Sequence, residues 1–67
     1  MPSEATLQAM DERIAIARRN ISELMERATA TVGAASEERI SLLLSEQQAA
    51  LDELVKQRAA LEAEGSA

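Results

Sequence analysis

Two heptad seams that mirror each other about a glycine constrain this chain more than anything else in its sequence. From Leu7 the pattern advances alternately by three and four through Met10, Ile14, Ala17, Ile21, Leu24, Ala28 and Thr31. A second seam runs Ile40, Leu44, Gln47, Leu51, Leu54, Arg58 and Leu61. Reflected about position 34, the two pair as Leu7/Leu61, Met10/Arg58, Ile14/Leu54, Ala17/Leu51, Ile21/Gln47, Leu24/Leu44 and Ala28/Ile40. That is the layer pattern of two antiparallel helices folded back on each other, an a position facing a d position in every layer.

A single continuous helix does not fit. The first register, carried on, places Ala35, Glu38, Leu42 and Ser45 in the core, whereas the second seam is displaced from it by two positions. Coiled coils absorb insertions of three or four residues, not two. The spacing therefore predicts one domain, 1–67, with a helix over about 4–32, a turn over 33–36 and a helix over about 37–64. Ser3 is the expected cap of the first helix, after Pro2 restricts the lead-in. Gly33 suits the left-handed residue that ends a helix. Ser36 then caps the second helix, with Glu37 and Glu38 in its first turn where the helix dipole favours carboxylates. Glu62 and Glu64 oppose the dipole at the far end, so fraying is expected near Glu64, with Gly65, Ser66 and Ala67 as a loose tail.

A lone hairpin of this length is short of stabilising surface. Chains of about 60 residues bury only about 60% of their unfolded surface. This one has no cysteine for disulfides, no histidine for a structural zinc site, and no aromatic residue. Self-association is the expected remedy. The second helix carries apolar residues on both flanks of its seam: Leu43, Ala50 and Gln57 on one, Val55 and Gln48 on the other. Met25 and Val32 widen the stripe of the first helix. Flanks of that kind suit a helix with two neighbours, so the fold class expected is all-α, a helical hairpin paired into a homodimeric four-helix bundle. The residues expected to carry self-association are Met25, Leu43, Gln47, Ala50, Leu51 and Val55. The competing view is that these are ordinary scattered surface residues.

Gln47 and Arg58 occupy seam positions that geometry would give to leucine. A polar group in a core layer disfavours other registers and oligomers at a cost in stability. For Arg58 the simpler account is snorkelling, with its stem on Met10 and its guanidinium reaching Asp11 or Glu62. Gln47, central and opposite Ile21, suits either account. Asn20 flanks the first seam beside Ala17 and Ile21, where it serves either an interface or the solvated surface.

Arg13, Arg18, Arg19 and Arg27 form the only basic concentration, four arginines against five acids in the first helix. The second helix sets three basic residues against seven acids. The plain account is a solvated face laced with pairs such as Glu23/Arg27, worth about 0.3–0.5 kcal/mol each. The length and hairpin topology are similar to those of the Rop family, small helical-hairpin dimers that bind paired RNA loops through one helix face. The resemblance implies a homodimer and an RNA contact through the arginines of the first helix. This chain departs from that pattern: it has no aromatic residue to stack on bases, no lysine in the first helix, and a net charge of −5.

Catalytic chemistry has little to work with. Asp11/Glu12, Glu37/Glu38 and Asp52/Glu53 are neighbours in sequence and so point apart on a helix. Without histidine a Glu-x-x-His dimetal site is excluded. Ser41 and Ser45 have no suitable base nearby, and two single glycines make no phosphate loop. The longest apolar runs are far below a membrane span. The start Met1-Pro2-Ser3-Glu4 has no signal-peptide pattern, so a cytoplasmic location is expected by default. The expectation is a non-catalytic protein-interaction module without metal or cofactor. It docks an unidentified larger protein through outward residues such as Ile16 and Leu42, beside Arg18 and Arg19. An obligate subunit of a larger assembly is the alternative to both docking and RNA binding.

Overall fold

The computed structural model describes residues 3–30 and 32–66. It is an all-helical hairpin: α1 spans Glu4–Ala30 and α2 spans Ala34–Ser66, packed against each other. The N-terminus of α1 is closed by Ser3, whose hydroxyl accepts from the Thr6 N–H (3.1 Å) while its carbonyl accepts from the Leu7 N–H (3.2 Å). This satisfies a donor that a helix start otherwise leaves open.

The turn differs from the sequence expectation. α1 ends at Ala30, and Gly33 lies at φ 119°, a conformation that other residues rarely adopt. Its carbonyl accepts from the Glu37 N–H (3.0 Å), so Gly33 is the N-cap of α2. Ser36 is accordingly inside the first turn of α2. The reversal at Gly33 is tight enough for the good helix former Ala34 to begin the new helix at once. At the other end α2 runs on to Ser66, and Gly65 is half-buried, extending the seam one step past Leu61 instead of leaving a tail. Thr31, Met1, Pro2 and Ala67 lie outside the described residues.

Antiparallel register follows from the side chains that meet. Arg58 of α2 contacts Asp11 of α1, near the open end of the hairpin. Toward the turn, Asn20 and Leu24 share a depression with Leu43 and Gln47, and Arg27 shares one with Ile40 and Leu43. These groupings fit pairing about position 34.

Burial follows the two seams closely. Met10, Ile14, Ala17 and Ile21 are buried on α1, and Ile40 on α2. Leu7, Leu24, Ala28, Leu44, Gln47, Leu51, Leu54, Arg58 and Leu61 are half-buried. Among the described residues Asn20 alone is other than exposed while lying off both seams and their one-step extension to Gly65. The three seam isoleucines are buried and the six seam leucines are not. A β-branched side chain keeps its carbons near the backbone, inside the contact zone, whereas leucine projects past it.

The molecule is a ribbon with extents of 51 × 15 × 10 Å and a radius of gyration of 15.4 Å. A globule of this length would have about 11 Å. Two helices side by side have no interior beyond their shared seam, and no side chain is fully buried among the described residues.

Candidate functional site

The ribbon has two broad faces, one on each side of the plane holding the helix axes. At 100° per residue, positions three after a seam d residue fall on one face and those one after it on the other. The first face therefore carries Arg13, Asn20 and Arg27 from α1 with Leu43, Ala50 and Gln57 from α2. The second carries Asp11, Arg18 and Met25 with Ser41, Gln48, Val55 and Glu62; Val32, expected to widen the stripe of the first helix, lies past the end of α1 and is 93% exposed.

The first face is indented. One shallow depression of about 240 Å³ is lined by Asn20, Glu23, Leu24, Arg27, Leu43 and Gln47. A second of about 250 Å³ adjoins it, formed by Arg27, Ser36, Arg39, Ile40 and Leu43. Both are open and fall below the ~300–1,000 Å³ of small-molecule sites. They form a groove running toward the turn, with Leu24, Ile40 and Leu43 among its lining and the amides of Asn20 and Gln47 at its end away from the turn.

The second face is polar at one end. The Arg58 Nε and Nη2 donate to the two carboxylate oxygens of Asp11, and Nη1 donates to Glu62 Oε2 at 2.6 Å. The Asp11 hydrogen bond, then its charge, then Glu62, hold the Arg58 guanidinium above its ordinary pKa. Arg58 thus leaves its seam position for the surface and lays its stem in the layer of Met10, which is buried. Gln57 Nε2 donates to Glu53 Oε1 (3.4 Å), a surface pair one turn apart.

The six residues expected to carry self-association do not share one surface. Leu43 and Ala50 are on the grooved face, Met25 and Val55 on the other, and Gln47 and Leu51 in the seam. Met25 is 49% exposed, Val55 43% and Leu43 37%. Ile16 and Leu42 are outward at 53% and 60%, on different helices and roughly ten residues apart along the ribbon, about 15 Å. They do not form one patch. Arg18 and Arg19 are exposed. The four arginines of α1 occupy three different positions around the helix, so no single basic stripe results.

Among the described residues no group of three or more carboxylates is placed to hold a metal ion, and no helix is long and apolar enough to cross a membrane. Sequence reasoning named Asn20 but left its role open. What distinguishes it is partial burial, beside a depression that it shares with Leu43 and Gln47. No family model matches the chain, and no curated protein or solved structure is detectably similar to it.

Proposed function

We propose that this protein is a non-catalytic interaction module that pairs with a second copy of itself and docks a larger protein through its remaining helix faces. The observation that carries this reading is the half-open state of α2. Leu44, Leu51, Leu54 and Leu61 lie in the seam, yet α1 covers each of them only in part. Burying apolar surface is worth about 25 cal/mol per Å². A ribbon with no fully buried side chain therefore gains from a partner that covers a broad face. A face of 51 × 15 Å offers roughly 770 Å², close to the ~800 Å² that each partner contributes to a standard interface.

The test is absolute mass by sedimentation across a hundredfold range of concentration. A mass near twice 7.2 kDa is expected; a strongly helical monomer throughout overturns self-association. RNA binding through α1 remains the reading of a different class. It predicts binding to paired RNA loops that weakens steeply with salt and with Arg18→Glu plus Arg19→Glu together. The scattering of the arginines around α1 and the net charge of −5 weigh against it. An obligate subunit predicts poor helicity when the chain is purified alone.

A further inference from the structure

We draw no further inference here: the strongest candidate, the shallow depression near the turn on the grooved face, lined by Arg27, Ser36, Arg39, Ile40 and Leu43, is an open surface patch, and nothing in the structure shows what covers it.

Discussion

The two helices share one seam but differ in how far it covers them. α1, with 27 residues, buries four side chains; among the described residues of α2, with 33, Ile40 alone is buried. Side-chain shape accounts for part of the difference, the unbranched Met10 being buried as well. α1 presents two isoleucines and Ala17 close to its backbone, and the leucines of α2 close over them. On α2, Leu51 and Leu54 reach past Ala17 and Ile14, while Leu44 and Leu61 meet the half-buried leucines Leu24 and Leu7, and all four keep part of their surface in water. A helix can thus be well covered by a partner that it covers poorly. α1 is largely satisfied within the hairpin, whereas α2 is where further association gains most.

The strongest way to break this comparison is to truncate one buried residue on each helix. Ile14→Ala on α1 should cost about 2–5 kcal/mol. A domain of this size has a total stability of about 3–10 kcal/mol, so extensive unfolding is expected in a urea titration followed by circular dichroism. A loss below about 1 kcal/mol would mean that the α1 seam is not the core. Leu54→Ala, facing Ile14, sharpens the point. In a lone hairpin it should cost roughly half as much as Ile14→Ala, because its side chain is only half-buried. If a second copy covers α2, the two losses should become similar, at about 2–4 kcal/mol. The melting midpoint should then also rise with protein concentration, as mass action requires of a dimer.

The seam was legible because the period is a property of the backbone: positions spaced three and four apart must share a face whatever surrounds them. With the exception of Asn20, every described residue that is not exposed lies on the two seams or their one-step extension to Gly65. The helix ends were less legible. Ser36 has a good capping side chain, but Gly33 at positive φ reverses the chain three residues earlier. Composition alone does not say which of two eligible residues takes the cap. The choice between broad faces was not legible either, since Leu43 and Ala50 on one and Met25 and Val55 on the other are similarly apolar. Function was least legible of all, because helix surfaces of leucine, alanine and arginine carry no chemistry of their own.

A smaller effect tests the polar layer in the half-open helix. Gln47 faces Ile21, which is buried; among the described residues no buried side-chain polar atom lacks a partner. Replacing it by leucine adds apolar contact without orphaning a group, so Gln47→Leu should raise stability by on the order of 1 kcal/mol in thermal melts. A stabilised chain with a changed mass would mean that Gln47 helps specify the dimer. A loss of stability would show that the amide belongs to a satisfied network whose removal is costly.

The smallest effect concerns the other polar seam residue. Arg58 bonds to Asp11 and Glu62, but its side chain is 30% exposed and those of its partners 54% and 60%. Ion pairs so well hydrated contribute little, and salt screens what they do contribute. Arg58→Met keeps an unbranched apolar stem in the layer of Met10 while deleting both pairs, so thermal melts in low salt should show a barely resolved change that vanishes in high salt. The pH dependence has a definite sign. A cation whose folded pKa is raised contributes stability that is complete below its unfolded value and is lost as pH rises through the folded one. For arginine both lie in strong alkali, so Arg58 adds no slope between about pH 7 and 10. A large loss in the methionine variant, persisting in high salt, would instead make the ion pairs part of what fixes the register, and α2 would owe its alignment to Asp11 as much as to its leucines.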